Sequence, residues 1–464
     1  MPVNSFENYP MSWKPNKNDL KKPYYLSIAA KLEEDILAGI LTKNTKLPPQ
    51  RELADFLDLN LSTVTRAYKI CELKGLIYAV TGNGTFVSPG ILARDTILDN
   101  NSQIIEMSLF SSIYETNYTV LKASQAIINS PHAVHLYKYG SPLGTKRHID
   151  AAITWMKTFG VNAERKNTML TMGAQNALSI ILISLFNAGD KIAVENFTYS
   201  NFKGLANQLH IQLIAVDSDQ YGMSPEALNN ICKQTNIVGI YLMPTCSNPT
   251  SIFMPVSRRN ELADLIKRYD LLLIEDDIFS FLSPEKTSLF ASILPEQTIH
   301  ICSIAKSLCA GLRVAFVVFP ERHKDSLVTG IISINLNSNS LNAEIISELI
   351  ESGEAIKIVQ QKITLANKRN QIYKDYFNIE QSDDIVRFYH WLRLPVNMTS
   401  EDFELLALQR GVHVLGSHRF AIQNNDKSSY TRLSITSPVS DNDFIHALEI
   451  IRNIINEKQI EFYV

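Results

Sequence analysis

The sequence predicts an α/β protein in which a small helical module with a β-hairpin precedes a large domain built on a mainly parallel sheet. From residue 105 onward, short and almost continuously apolar runs alternate with longer amphipathic stretches. This alternation is typical of buried parallel strands separated by helices. Before residue 90, apolar residues instead recur at helical spacing and give way to two short strand-like runs. The predicted strands of the large domain are 191–195, 211–216, 237–243, 271–275, 298–302 and 314–319.

Length and composition limit the classes of function. The chain has 464 residues, of which 45% are hydrophobic and 20% charged, which fits two or three folded domains and excludes wholesale disorder. The net charge of −3 gives no overall attraction for nucleic acid or anionic membranes. Residues 1–90 carry 11 Lys and Arg against 9 Asp and Glu, a net charge of only +2. Charge alone therefore does not predict a nucleic-acid partner.

Cysteine usage and hydropathy predict a cytoplasmic protein. The five cysteines are scattered and form no C-x-x-C pair, which indicates reduced thiols rather than a disulfide framework or a metal site. The longest apolar stretch, Ala177 to Phe186, is too short for a membrane span. The polar N-terminus shows no signal-peptide pattern.

Residues 24–88 predict three helices followed by a hairpin. The first helix ends at Gly39, and Ser62 is the predicted N-cap of the third helix. Two helices joined by a tight turn, followed by a hairpin, outline a winged helix-turn-helix. The second and third helices are predicted over 51–57 and 62–75, and the strands over 76–80 and 85–87.

The start of the third helix carries side chains that can contact bases. A recognition helix directs its N-terminal residues at base edges in the major groove. A single arginine here is more often a solvated helix charge than a DNA contact. DNA binding is therefore indicated by the whole ordered set of residues and not by any one of them. The candidate base contacts are Ser62, Thr63, Thr65 and Arg66, and the candidate backbone or minor-groove contacts are Lys46, Arg51 and Gly84.

The module resembles the GntR-type winged helix along its whole length. The resemblance implies binding to operator DNA, usually as a dimer on a symmetric or repeated site. We assign this domain to residues 20–88, followed by a polar linker at 89–104. The matching segments are Leu47–Ala54, Leu61–Tyr68, Gly75–Ile77 and Gly82–Val87.

In the large domain, polar residues lie where a parallel sheet binds ligands, beyond the ends of its strands. Gly173 precedes a helix start whose free N–H groups suit a phosphate. Asn248 and Asp276 follow two predicted strands, and a carboxylate there can hold a protonated ring nitrogen. Lys306 lies among small and apolar neighbours, where desolvation lowers the pKa of an amine and allows a Schiff base with an aldehyde. Taken alone, each of these signals is more often explained by a turn, a solvated carboxylate or a surface lysine, and no spacing supports a metal site.

Together and in this order, these segments resemble the fold-type-I aminotransferases, which use pyridoxal phosphate (PLP), over residues 105–464. The resemblance implies that Lys306 forms the aldimine with PLP, that Asp276 contacts the pyridine nitrogen and that Asn248 contacts the phenolic oxygen. The further residues that it implies are Gly173, Ala174, Gln175, Ser303 and Arg313 on the phosphate, Tyr199 stacked on the ring, Tyr139 from a second subunit, and Arg432 on a substrate carboxylate.

Three positions depart from the aminotransferase pattern. Phe279 replaces a tyrosine that usually contacts the cofactor oxygen, and its missing hydrogen bond is expected to raise the aldimine pKa and weaken catalysis. Ala305 stands where a second serine is common, and Ser251 replaces the usual glycine after Asn-Pro-Thr. None of these departures removes Lys306, Asp276, Asn248, Arg313 or Arg432. Cofactor binding is therefore expected to persist, while turnover is expected to be weak.

A GntR-type head joined to an aminotransferase-like body resembles the MocR subgroup of bacterial regulators. The resemblance implies a homodimeric transcription factor that senses an amino compound, or PLP itself, through aldimine chemistry, with weak or latent aminotransferase activity. Two alternatives remain at this point. One is an active aminotransferase with an accessory DNA-binding head, and the other is a cofactor-free scaffold that responds to protein partners.

Overall fold

The computed structural model divides the chain into two units, Met1–Ser102 and Gln103–Val464. The structure describes residues 11–37, 40–42, 45–73, 76–80, 84–87, 104–109, 113–283, 289–379, 385–423 and 429–460. Of the predicted linker, Ile104 alone is among the described residues. Gly39, Gly75, Gly82 and Asn83 also lie outside the described residues. Across the described ranges, no helix has both the length and the apolar character needed to cross a membrane.

The first unit is a three-helix module with a hairpin, as predicted. Leu32, Leu53 and Val64, one from each helix, are fully buried and share one apolar core. The second helix ends at Leu57, where Asp58 adopts a left-handed conformation with φ of +50°. The elements are α1 (Tyr24–Leu37), α2 (Gln50–Leu57), α3 (Leu61–Leu73), β1 (Ile77–Val80) and β2 (Gly84–Val87).

The prediction that Ser62 caps α3 is wrong. The main-chain oxygen of Asn60 accepts a hydrogen bond of 2.9 Å from the N–H of Thr63, so the helix begins at Leu61. Ser62 therefore lies in the first turn and is exposed. The strands β1 and β2 pair antiparallel, with Ile77 opposite Val87, and Lys46 forms a further bridge to Phe86 beside β2.

The second unit contains a seven-stranded sheet and a smaller sheet. Its strands are β3 (Ile105–Glu106), β4 (Thr168–Thr171), β5 (Lys191–Glu195), β6 (Gln212–Val216), β7 (Ser218–Asp219), β8 (Gly222–Met223), β9 (Gly239–Leu242), β10 (Leu272–Asp277), β11 (Thr298–Ser303), β12 (Ala315–Val318), β13 (Tyr389–Arg393), β14 (Val412–His413), β15 (Leu415–Gly416) and β16 (Tyr430–Ser434).

Helices cover the sheets of the second unit. The long helix α14 contributes the buried Ile358 and Lys362 on one face. The helices are α4 (Asn117–Ile128), α5 (Lys146–Thr158), α6 (Ala174–Leu185), α7 (Ser200–Gln208), α8 (Pro225–Gln234), α9 (Val256–Arg268), α10 (Phe290–Ile293), α11 (Ile304–Ser307), α12 (Lys324–Ile334), α13 (Ser340–Glu351), α14 (Glu354–Tyr376), α15 (Ser400–Gln409) and α16 (Asp441–Ile460).

The large sheet has the order β4-β12-β11-β10-β9-β5-β6. Its strands are parallel except for β12, which runs antiparallel to both β11 and β4. The predicted mainly parallel α/β fold is therefore confirmed. Parallel strands direct their carboxyl ends to one edge, so the polar residues at the ends of β5, β9, β10 and β11 meet there.

The smaller sheet has the antiparallel order β13-β16-β15, and it packs with α15 and α16 around the buried Phe403, Leu433 and Phe444. We call residues 385–460 the small subdomain. β3 joins it by pairing in parallel with β14, so the start of the second unit is fastened to the small subdomain.

The prediction that Asp276 follows its strand is wrong, because Asp276 lies with Glu275 and Asp277 in a run of three acidic residues at the end of β10. The three residues lie inside β10 and are buried, because the pairing with β11 continues to Asp277 opposite Cys302. A solvated role for these carboxylates is thereby excluded.

Candidate functional site: a cofactor pocket and a DNA-facing helix

Asp276 lies at the carboxyl end of β10, the central strand of the large sheet, and is 1% exposed. Its Oδ2 accepts a hydrogen bond of 2.8 Å from the hydroxyl of Tyr241 on the neighbouring β9. Its Oδ1 is buried and has no hydrogen-bond partner within the described ranges. Burial raises the pKa of Asp276 to about 6, while the Tyr241 hydrogen bond and the charge of His300 limit the rise. An unpartnered buried carboxylate oxygen fits the protonated ring nitrogen of PLP.

Lys306 lies in α11, directly after β11. Burial lowers the pKa of its amine to about 8, and the positive charges of Arg432 and Arg313 contribute to the decrease. The three cations therefore face one region of the second unit. A lysine with a lowered pKa is a nucleophile toward aldehydes near neutral pH.

The backbone around Lys306 is held by another lysine, which is buried. Lys362 of α14 is completely buried, and its Nζ donates hydrogen bonds to the main-chain oxygens of Lys306 at 3.1 Å and Leu308 at 2.6 Å. Burial lowers the pKa of Lys362 to about 7. Lys362 is thus a positioning residue for the lysine segment.

Gly173 and Arg313 form a cradle at the start of α6. Gly173 has a φ of +89°, and a Cβ at this position would lie 2.6 Å from Nη2 of Arg313. Only glycine lets the guanidinium pass this close. Ala174 and Gln175 follow in the first turn of α6, where main-chain N–H groups lack helical acceptors. A helix start facing a guanidinium fits the phosphate of the cofactor.

Arg432 of β16 lies in contact with Asn248, which follows β9. Arg432 is 4% exposed, and its Nη1 donates a hydrogen bond of 2.7 Å to Oδ1 of Asn248. Its Nη2 donates to the main-chain oxygen of Ser108. Burial lowers the pKa of Arg432 to about 10, so the side chain remains charged at neutral pH.

Tyr199 lies beside these groups, directly before α7. Burial raises the pKa of its phenol, and the negative charge of Asp276 raises it further, whereas the hydrogen bond from Asn201 and the charges of Arg432 and Arg313 lower it. Tyr199 is thus close to both the acidic and the basic groups of the site.

Two predicted residues are placed differently from the rest. Ser303 is buried, and its Oγ accepts a hydrogen bond of 3.3 Å from the N–H of Ala305, which caps α11. Tyr139 is 86% exposed and lines a surface pocket with Met172 and Ser338. The structure therefore brings Lys306, Asp276, Asn248, Tyr199, Arg313 and Arg432 together but leaves Tyr139 on the surface of the second unit.

The three departures from the aminotransferase pattern have structural consequences. Phe279 is fully buried, with its ring centroid 5.6 Å from that of Tyr389, so it packs in an aromatic cluster and offers no hydroxyl. Ser251 has a φ of +57°, a left-handed conformation that explains why glycine suits this position. Ala305 has no side-chain hydroxyl, and its main-chain N–H donates a hydrogen bond to Oγ of Ser303.

Sequence reasoning missed Tyr241 and Lys362. Tyr241 lies within the apolar run 237–243, which hides the fact that its hydroxyl contacts Asp276. Lys362 lies on the buried stripe of α14 with Ile358 and Ala366, at helical spacing. A lysine within such a stripe is the signal that could have found it.

In the first unit, α3 presents Ser62, Thr65 and Arg66 on one exposed face, since these positions are three and four residues apart. Oγ1 of Thr65 donates a hydrogen bond of 2.8 Å to Oε1 of Gln50 at the start of α2. The guanidinium carbon of Arg66 lies 4.0 Å from the ring centroid of Tyr25, a cation–π contact.

The remaining predicted DNA contacts flank this face. Thr63 is half-buried, and Arg51 is exposed on α2. Gly84 begins β2 with a φ of +119°, and a Cβ there would lie 2.9 Å from Cε of Lys46. Because Gly84 has no side chain, the side chain of Lys46 has room beside the hairpin.

Comparisons with known proteins agree with the division of the chain into two units. Residues 107–451, which are 345 of the 464, match the family described as aminotransferase class I and II, and residues 24–87 match the bacterial regulatory proteins of the gntR family. The uncharacterized HTH-type transcriptional regulator YdeF of Bacillus subtilis is 36% identical over 98% of this chain and 100% of its own. NorG, an HTH-type transcriptional regulator of Staphylococcus aureus, is 24% identical over 79% of this chain and 90% of its own.

Among solved structures, kynurenine aminotransferase of Pyrococcus horikoshii superposes with a TM-score of 0.72 at 21% identity, covering 79% of this chain and 94% of its own. At this identity the likeness establishes the fold.

The chain belongs to the HTH-type transcriptional regulators in which a GntR-family domain is fused to an aminotransferase class I and II domain. Membership in the aminotransferase family implies PLP as the cofactor of the second unit. The GntR-family match makes the first unit a DNA-binding domain.

Proposed function

We propose that the protein is a homodimeric MocR-type regulator that binds PLP at Lys306 and changes its operator binding in response to an amino compound, or to PLP itself. It would act in the cytoplasm, where bacterial operator DNA is found. The observation that carries this proposal is the position of Lys306, which lies half-buried in α11 directly after β11 and beside Arg432 and Arg313. Desolvation and these two charges lower the pKa of its amine.

The residues of the pocket supply distinct contacts to the cofactor. Asp276 would hold the ring nitrogen through its unpartnered Oδ1, and Asn248 would contact the phenolic oxygen. When bound, PLP supplies two groups: an electron-withdrawing ring, and an aldehyde that reacts with primary amines. Tyr199 would stack on the ring, and the phosphate would be held by Gly173, Ala174, Gln175, Ser303 and Arg313.

Arg432 is the proposed contact for a carboxylate on the effector, through a bidentate fork. Arg432 now donates hydrogen bonds to Asn248 and to the main-chain oxygen of Ser108, and a carboxylate there would compete with these two partners. Ser108 follows β3, at the start of the second unit and close in sequence to the predicted linker. Release of this contact is a direct route by which an effector would alter the segment that leads to the DNA-binding domain.

A second copy of the chain is proposed to cover the surface around Tyr139. This region exposes several large side chains, which is typical of an interaction surface. In a dimer, Tyr139 would reach the phosphate site of the partner. The exposed residues are Tyr114, Tyr118, Val134, Tyr137 and Tyr139.

The DNA contacts proposed for the first unit follow from the exposed face of α3. Ser62, Thr65 and Arg66 would contact base edges, with Thr63 at the rim of this face. The contacts proposed for the phosphate backbone or minor groove are Lys46, Arg51 and Gly84.

The alternative function, an active aminotransferase with an accessory DNA-binding head, is less well supported. Phe279 supplies no hydroxyl for the cofactor oxygen and packs instead against other aromatic rings. Weak or latent transamination is therefore what we expect.

An experiment separates these functions. DNA selected from a random-sequence pool by the protein itself serves as the operator probe, and its affinity is measured with and without PLP and a panel of amines. A regulator shows a change in DNA affinity with slow or absent transamination. Turnover of about 1–1000 per second, with DNA affinity independent of PLP and amines, would contradict the proposal.

A further inference from the structure

Arg432 borders a cluster of aromatic rings, which we call the aromatic surface (Phe197, Trp391, Phe420 and Tyr430). In the register of β13 and β16, Trp391 lies directly opposite Arg432, and Tyr430 lies two residues before it. The three side chains therefore share one face of the smaller sheet. The ring of Phe420 adjoins them, with its centroid 4.8 Å from the guanidinium carbon of Arg432.

The rings are arranged in contact with one another. Trp391 and Tyr430 stack with centroids 5.3 Å apart and an interplanar angle of 8°. Phe197 meets both edge-on, at 5.4 Å and 6.0 Å. Phe420 is fully buried, whereas the other three are half-buried and keep part of their surface accessible. The cluster thus offers aromatic area beside a buried positive charge.

The aromatic surface adjoins the cofactor pocket. Phe197 precedes Tyr199 by two residues, and the N–H of Thr198 between them donates a hydrogen bond of 3.1 Å to the main-chain oxygen of Phe420. Phe197 also forms a bridge with Ala421. The proposed ring-stacking tyrosine and the aromatic surface are therefore parts of one continuous wall.

We propose that the aromatic surface binds the side chain of the effector and that the effector is an aromatic α-amino acid, an inference that rests on the proposed carboxylate contact of Arg432. Only two carbon atoms separate the carboxylate from the ring in such an amino acid. A carboxylate on Arg432 therefore places the ring at Trp391 and Tyr430.

The charged neighbours of the aromatic surface select between aromatic and cationic side chains. Aromatic faces by themselves also attract cations. Here Arg393 lies opposite Tyr430 in the strand register, and Lys203 donates a hydrogen bond to the main-chain oxygen of Ala421. With Arg432 these residues make the surroundings positive, which disfavours lysine-like ligands and favours a neutral ring.

The test uses the full-length, PLP-loaded protein titrated with L-phenylalanine, L-alanine and L-lysine. Binding is followed by visible absorbance and by tryptophan fluorescence, since Trp13 and Trp155 are buried and Trp391 is half-buried. The variants are Trp391→Leu and Tyr430→Leu, with Tyr430→Phe as the conservative change. Tyr221→Leu, at an exposed tyrosine of the β7–β8 turn, is the matched control.

L-Phenylalanine is expected to bind more tightly than L-alanine or L-lysine. Each leucine variant is expected to weaken L-phenylalanine binding by about 2- to 10-fold and to leave L-alanine binding unchanged. Tyr430→Phe and Tyr221→Leu are expected to retain wild-type affinity. Should a leucine variant fail to fold, the order of affinities of the wild type for the three amino acids still decides the test.

Equal binding of the three amino acids, a preference for L-lysine, or equal weakening of L-phenylalanine and L-alanine would overturn this inference while leaving the proposed function intact. If no amino acid changed either signal in PLP-loaded protein, the proposed amino-compound sensing would fail and this inference with it.

Discussion

The guanidinium of Arg432 donates a hydrogen bond of 2.7 Å to the amide oxygen of Asn248, so a side chain of the small subdomain orients a side chain of the segment that follows β9. With Oδ1 used as the acceptor, the amide nitrogen of Asn248 is the end that remains able to donate. A donor directed at the cofactor oxygen is what the proposed role of Asn248 requires. The same guanidinium is the proposed carboxylate contact, so effector binding and cofactor contact share one residue.

Arg432→Lys keeps a positive charge but loses the planar fork. We expect the affinity of PLP-loaded protein for L-alanine to fall by about 10-fold, because one charge-assisted hydrogen bond to the carboxylate is lost. Binding of ethylamine, which has no carboxylate, should not change. The measurement is a visible absorbance titration, with Arg410→Lys, a surface residue paired with Glu457, as the control. Equal losses for both ligands would show that Arg432 does not bind the carboxylate.

Tyr241→Phe removes the hydroxyl that donates to Asp276 but keeps the ring stacked on Phe202 at 3.8 Å. Because this hydrogen bond lowers the pKa of Asp276, its loss raises that pKa further and reduces the ionised fraction near neutral pH. We expect the dissociation constant of PLP to increase by about 3- to 10-fold. Tyr269→Phe, which removes a hydroxyl bonded to Asn229 outside the pocket, is the matched control. An unchanged PLP affinity in Tyr241→Phe would argue against the role of Asp276.

Lys362→Met tests the buried amine that holds the Lys306 segment. The pKa of Lys362 is about 7 in the folded protein, against about 10.4 when unfolded. Between these values the unfolded state binds more protons, so the stability of the wild type relative to the variant should rise with pH, by about 1 kcal/mol per unit. The free energy of unfolding is measured at pH 7 and pH 9.

The control for this comparison is Lys357→Met, at an exposed lysine of the same helix that pairs with Glu354. It should show no such pH dependence. A difference between wild type and Lys362→Met that stayed constant from pH 7 to pH 9 would mean that Lys362 does not titrate in this window.

Arg66→Ala tests the exposed face of α3. Loss of a base contact by the guanidinium should weaken binding to the selected DNA by about 5- to 150-fold without changing the PLP spectrum. Since Arg66 also contacts Tyr25, thermal melting is measured alongside to separate DNA contact from folding. Lys21→Ala, at an exposed residue before α1, is the control. Unchanged DNA affinity in Arg66→Ala would contradict the placement of the recognition helix.

Much of the fold was predictable because its signals are local. The apolar runs of β5, β9, β10 and β11 are buried on both faces, which leaves a continuous hydrophobic pattern in the sequence. The strands of the smaller sheet were not predicted. Trp391 and Tyr430 alternate with polar neighbours such as His390 and Thr431, so their strands carry a weaker pattern.

The site was predictable where a residue follows a strand in the sequence, as Asn248 and Lys306 do. It was not predictable where contacts join distant segments. Lys362 lies 56 residues from Lys306, and the Arg432–Asn248 bond spans 184 residues. Such pairs depend on packing of helices and subdomains that no local pattern encodes. The prediction that Ser62 is the N-cap of α3 was wrong for a smaller reason, since the end of a helix can shift by a residue with the capping geometry.

The visible absorbance spectrum of the purified protein with added PLP tests the central claim, that Lys306 carries the cofactor, most directly. Wild type and Lys357→Ala, an exposed-lysine control, should both show a visible band of covalently bound PLP. Lys306→Ala should show none while retaining its fold by circular dichroism. A band that persisted in Lys306→Ala, or its absence from the wild type, would contradict the account.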